Sequence, residues 1–177
     1  MPESDELEIS LFWPGFGECI VAHLGRGDWI IVDSCLGPDG QTPARLDYLK
    51  RLGVDVSTSV KRVVANLWLK DHLRGLAQTV SECSSAKFIC SQALWSKEFV
   101  ALTELWKKTS LTASPVDELS RVIETLARSE GALKGSKGDF PFGFAAPNQC
   151  LWRRRAVGDT RDQTLRNSIL YLHPTLP

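Results

Sequence analysis

Apolar and polar positions change period along this chain. Ile9-Ser10-Leu11-Phe12-Trp13 alternates as a strand and stops at Pro14-Gly15-Phe16-Gly17. Glu18 to Leu24 is a second strand, and Gly25-Arg26-Gly27-Asp28 supplies a turn with glycines suited to positive φ. Trp29 to Asp33 is a third strand. Its apolar residues face both ways, so it belongs at the centre of a sheet.

Helical spacing follows. Thr42-Pro43 opens a helix carrying Leu46, Leu49 and Leu52, and Gly53 ends it. Lys61 to Asn66 is a fourth strand. Leu73, Leu76, Ala77 and Val80 give a helix over 73–83, and Ala86 to Cys90 is a fifth strand. Two longer helices span 96–108 and 115–130, the second opened by Ser114-Pro115, with Asp117 in the capping-box place. Gly131 to Gly143 reads as a glycine-rich, basic, mobile loop. Short strands are expected around 150–152 and over 169–172. Three strands followed by strand–helix alternation predict an α/β layered fold with a mixed sheet. Residues 1–8 read as a disordered lead, and 9–177 as a single domain.

The 177 residues suffice for one core, and 43% hydrophobic with 24% charged is ordinary for a globular chain. Basic and acidic residues number 21 each, so net charge gives no argument for nucleic acid or anionic membrane. No apolar run reaches the roughly 18 residues needed to cross a bilayer. Five cysteines form no C-x-x-C pair, and the acidic start is not a signal peptide, which together predict reduced thiols and a cytoplasmic protein.

The candidate chemistry lies in Val63 to Gln78, VVANLWLKDHLRGLAQ, where a strand, a loop and a helix meet. Asp71 and His72 sit at the helix start. Their plain structural reading is that Asp71 caps the helix from Leu73 and His72 donates to a carbonyl. The segment resembles the metallo-β-lactamase-fold hydrolases, whose His-x-His-x-Asp-His loop follows an apolar strand. Val63-Val64, Ala65, Asp71, His72, the glycine at Gly75 and the upstream Asp33 all match that frame. The resemblance covers roughly 9–95 and more weakly 146–153 and 168–174. It implies a metallo-β-lactamase-like αββα sandwich, here with an incomplete second half, and zinc-dependent hydrolysis.

Leu67 and Leu69 occupy the places of the two leading histidines. Catalytic zinc takes three protein ligands and a water, and a leucine offers no lone pair. The expectation is therefore a degenerate hydrolase homologue. Asp71 is the candidate catalytic residue, Asp71 and His72 are a vestigial metal pair, and no cofactor is expected. The alternative is an active zinc hydrolase in which Asp71, His72, His173 and one of Asp139, Asp159 or Asp162 converge. A third reading is an interaction protein whose helices 96–108 and 115–130 form a docking surface. A short second sheet would leave apolar surface open, predicting self-association or a completing protein partner.

Weaker candidates are Ser34, Ser91 and Ser96, which sit in no nucleophile elbow; a Cys35 dyad with His23 or His72; the basic run Arg153-Arg154-Arg155 with Arg161 and Arg166; and Trp68 as a pocket wall.

Overall fold

The structure, a computed structural model, describes residues 1–15, 17–66, 69–91, 115–133, 142–145, 150–153 and 168–170. Strands β1 (Glu8–Phe12), β2 (Cys19–His23) and β3 (Trp29–Val32) form an antiparallel meander. β4 (Val60–Ala65), β5 (Lys87–Ser91) and β6 (Phe142–Ala145) then add in parallel, giving a six-stranded sheet in the order β1-β2-β3-β4-β5-β6. A two-stranded antiparallel sheet joins β7 (Cys150–Arg153) to β8 (Ser168–Leu170). Helices α1 (Ala44–Arg51), α2 (Val56–Ser59), α3 (Lys70–Leu73), α4 (Leu76–Glu82) and α5 (Pro115–Leu133) complete the described elements. The mixed α/β sheet expected from the pattern is present, with β3 between β2 and β4 as its two-faced apolar composition requires. The expected turn is built from Gly25, Arg26 and Gly27, all at positive φ.

The two faces of the large sheet carry separate cores. Val21, Trp29, Ile31, Val63 and Phe88 pack with Leu46 and Leu49 of α1, Leu76 and Val80 of α4, and Val122 and Leu126 of α5. The opposite face groups Ala22, Leu24, Ile30, Val64, Ile89 and Ala145 with Leu151 of β7. Arg62 reaches through that layer and donates from Nε to the Leu151 carbonyl at 3.2 Å. At the β1 edge the same face is uncovered. Ile9 and Leu11 stand across from Ala22 and Ile20, yet Ile9, Leu11 and, beyond them, Trp13 are exposed, Trp13 to 76%.

The other side of β1 is closed by α1. Phe12 meets Tyr48 edge-on at 5.1 Å, and the Tyr48 hydroxyl donates to Glu8 Oε1 at 2.6 Å while accepting from Ser10 at 3.2 Å. Bonding from Tyr48, and then Ser10, holds the Glu8 carboxyl below its usual range. Its folded form therefore favours the anion, and that contribution is present at neutral pH and lost as pH falls through the lowered value. Tyr48→Phe is expected to cost about 1 kcal/mol in urea unfolding at pH 7, and less in acid where Glu8 is protonated.

Some expectations are corrected. The helix expected over 73–83 is two helices, because Arg74 leaves helical geometry and Gly75 turns at φ +79°. A Cβ on Gly75 would come within 2.9 Å of Pro43, so the break seats α4 against the loop before α1. Glu118 of α5 supplies the missing cap there, accepting the Ala77 N–H at 2.8 Å. Pro43 is the N-cap of α1 rather than its first residue. The four-residue α2 was not expected, although Asp55 caps it through Ser57. α5 runs through Gly131 to Leu133, and Phe142 and Gly143, expected in a mobile loop, begin β6. Glu8 belongs to β1, and before it Ser4 accepts the Arg26 N–H. The expected helix 96–108, Ser114 of the capping box and 171–172 of the last strand lie outside the described residues.

Candidate functional site

Asp33 follows the last residue of β3 in the left-handed region, at φ +55°. Its N–H donates to the Val64 carbonyl at 2.8 Å, and its Oδ1 accepts the Asn66 N–H at 2.6 Å. One residue thus ties the end of β3 to the end of β4 by both backbone and side chain. Such a bend suits an aspartate, whose short polar side chain tolerates this conformation. It turns the second carboxylate oxygen toward the helical corner, where His72 Nδ1 lies 3.5 Å away.

His72 is held from several sides. Its N–H donates to the Leu69 carbonyl at 2.9 Å, and its own carbonyl accepts the Ser34 N–H at 2.8 Å. The Ser34 hydroxyl donates to the Arg74 carbonyl. The side chain is only 9% exposed and lies between two carboxylates, with Asp71 Oδ2 3.9 Å from Nε2. Asp71 is the wetter partner, its side chain 40% exposed. Gly17 closes the corner from the loop after β1. A Cβ there would fall 1.9 Å from the Asp71 carbonyl oxygen, so two backbones touch where no side chain fits.

The structure therefore brings Asp33, Asp71 and His72 together at the C-terminal ends of two strands. It corrects the structural reading of the pair. Asp71 lies within α3, whose N-cap is Leu69, and does not cap a helix from Leu73. The His72 ring faces carboxylates, not a carbonyl. Ser34 is buried and spends its hydroxyl on the backbone. The Cys35 dyad is also corrected: its sulfur meets Cys19, at 2.8 Å, while His23 stacks on Trp29 at 4.7 Å and accepts the Gly27 N–H. Leu67, Trp68, Ser96, Asp139, Arg154, Arg155, Asp159, Arg161, Asp162, Arg166 and His173 lie outside the described residues.

Among the described residues the donor set does not fit the zinc that the motif's family uses. Leu69 stands 55% exposed on the loop with no atom able to ligate, and the neighbouring motif place is also a leucine. Among the described residues no three His, Cys, Asp or Glu side chains are gathered to hold an ion. What remains is a buried imidazole braced by one buried and one half-exposed carboxylate. That arrangement is suited to an ion pair or to passing a proton, and among the described residues the neighbouring Ser34 hydroxyl is already committed to the backbone.

A groove of about 690 Å³ opens away from this corner, between the end of β1, the 37–42 loop and α1. Leu11, Trp13, Pro38 and Tyr48 line it, with Asp39 and Arg51 supplying charge. It is continuous through Leu11 and Trp13 with the exposed apolar edge. Sequence reading missed it because it is assembled from two stretches, 11–14 and 37–51, that are distant in the chain.

No protein-family model matches the chain, and no curated protein does. Among solved structures the chain is similar to a candidate metallo-beta-lactamase of Thermotoga maritima, at 15% identity and a TM-score of 0.48. That likeness takes in 83% of this chain and spans 61% of the other. No helix among the described residues is long and apolar enough to cross a membrane.

Proposed function

We propose that this is a metallo-β-lactamase-like protein whose Asp71–His72 corner has become a structural ion-pair site, and which acts by binding rather than by zinc-dependent hydrolysis. The observation that carries the reading is the orientation of His72. Its ring is buried against Asp33, while Leu69 occupies a motif place on the loop without a donor atom. An imidazole packed this way contributes to the fold through its contact with Asp33, 3.5 Å away, and through its hydrogen-bonded backbone. Water activation would need the ion that lowers the pKa of bound water from 15.7 to about 7, and the leucines leave too few donors for it.

The binding role draws support from the uncovered edge of the sheet, where Ile9, Leu11 and Trp13 adjoin the groove. The suited occupant is a partner polypeptide with an apolar face. Glu3, Asp5 and Glu6 directly precede β1 in the chain, and that acidic lead favours a basic partner over a second copy that would bring the same charges.

Metal analysis with hydrolase assays tests the proposal. After dialysis against zinc, the chain should retain well under one equivalent and turn over no phosphodiester, ester or β-lactam. The alternative hydrolase, built on Asp71, His72, His173 and one of Asp139, Asp159 or Asp162, requires the opposite. Stoichiometric zinc with turnover would establish it and sink this reading.

A further inference from the structure

Beneath the edge strand lies a cluster that the corner does not use. Cys19 begins β2 and Cys35 follows Asp33 by two residues; both are buried, with their sulfurs 2.8 Å apart. Cys35 also touches the Phe12 carbonyl at 3.9 Å, directly behind the groove wall. None of the five cysteines is joined in a disulfide in this structure. Beside the pair is Arg45 of α1, 0% exposed. Its Nη2 donates to the Gly75 carbonyl at 3.3 Å and to the Thr79 hydroxyl, but Nε and Nη1 have no hydrogen-bond partner.

A guanidinium buried in a core needs a counter-ion. Among the described residues none of the ion pairs gives Arg45 a carboxylate. The group placed to balance it is the Cys19 sulfur. Donation from Cys35, with the Arg45 charge behind it, holds the Cys19 thiol below its ordinary range against the burial that raises it. The shared proton and burial push Cys35 up. Cys83 and Cys90 differ, because burial pushes each to about 12 and leaves it an inert thiol.

We propose that Cys19 and Cys35 form a redox-active dithiol, oxidised by hydroperoxide to a buried disulfide, with Cys19 as the attacking sulfur and Arg45 as its positioning cation. Cys19 thiolate attacks one peroxide oxygen. The O–O bond breaks, Cys19 becomes a sulfenic acid, and the departing hydroxide takes a proton to leave as water. The Cys35 sulfur then attacks the Cys19 sulfur and displaces the hydroxyl, which leaves as a second water with the Cys35 proton. Two thiols and one hydrogen peroxide yield one disulfide and two waters, with two electrons passing from sulfur to oxygen. The sulfurs need close by only about 0.8 Å to reach bonding distance. Both sulfurs are closed to solvent, Cys19 at 1% and Cys35 at 0% exposed, so bulky disulfide reagents are excluded and oxidation needs a small peroxide together with local opening at the groove wall. The proposal stands independently of the binding role.

Peptide mapping of the full chain after hydrogen peroxide and alkylation tests it. The expected result is the loss of two of the five thiols, an intact mass lower by two hydrogens, and a cross-linked peptide pair containing Cys19 and Cys35. Cys35→Ser should stop at a sulfenic acid on Cys19 that a dimedone-type reagent traps once the chain is unfolded. Arg45→Met, if folded by circular dichroism, should oxidise about tenfold more slowly or less. The proposal is overturned if peroxide sufficient to oxidise a free small thiol leaves Cys19 and Cys35 open to alkylation after unfolding. A disulfide joining other cysteines would overturn it equally, and neither result depends on a variant that folds.

Discussion

Gly17→Ala is expected to be the most damaging glycine-to-alanine change among the described residues, lowering stability by about 3–5 kcal/mol and Tm by about 10 °C. Two costs combine. The residue sits at φ +78°, where a side chain is strained, and its Cβ would overlap the Asp71 carbonyl oxygen at 1.9 Å. Backbone cannot swing aside as a side-chain tip can, so the loop after β1 or the helix α3 must move. Gly40→Ala is the control. It has similar φ, +66°, but open space around it, and should cost only about 1 kcal/mol. Thermal melts of the two variants separate conformational strain from the steric contact. Equal melts would mean that the loop does not rest on Asp71.

Asp33→Ala should cost about 3–5 kcal/mol, whereas Asp33→Asn should cost about half as much. The alanine orphans the Asn66 N–H, removes the carboxylate 3.5 Å from His72, and places an ordinary side chain at φ +55°. Asparagine keeps an acceptor for Asn66 and tolerates the left-handed conformation, so it isolates the loss of the charge. Urea unfolding of both, combined with His72→Gln in a double-mutant cycle, reads the coupling across the pair. A coupling near zero would make Asp33 only a backbone bracket between β3 and β4, and would remove the structural role assigned to His72.

Most of the sheet was legible because its strands announce themselves by alternation. β3, apolar toward both faces, could be placed centrally before any register was known. What escaped was short or interrupted. The four residues of α2 contain no full period, and Phe142 and Phe144 flank a glycine that reads as loop. The break at Arg74-Gly75 also hides, since Leu73, Leu76 and Val80 keep helical spacing across it.

The site was legible to the same degree. Asp71 and His72 stood out by their place at a strand-to-helix loop, Asp33 only through the family resemblance, and the three do meet in space. Their geometry did not follow from it, because the role of Asp71 depends on where α3 begins. The cluster of Cys19, Cys35 and Arg45 had no signature at all. Its members meet only once the β1–β3 meander is in register and α1 lies across it.

In the six-stranded sheet, position follows chain order from β1 to β6 without a permutation. Each strand therefore finds its partner already in place when it leaves the ribosome. The meander of β1, β2 and β3 is a local, quickly closing nucleus, and the slower parallel strands can add to it one at a time. Synthesis from the N-terminus thus coincides with the direction of assembly. A circular permutant starting at β4 would lose that coincidence while keeping every contact, and should differ in folding yield more than in final stability.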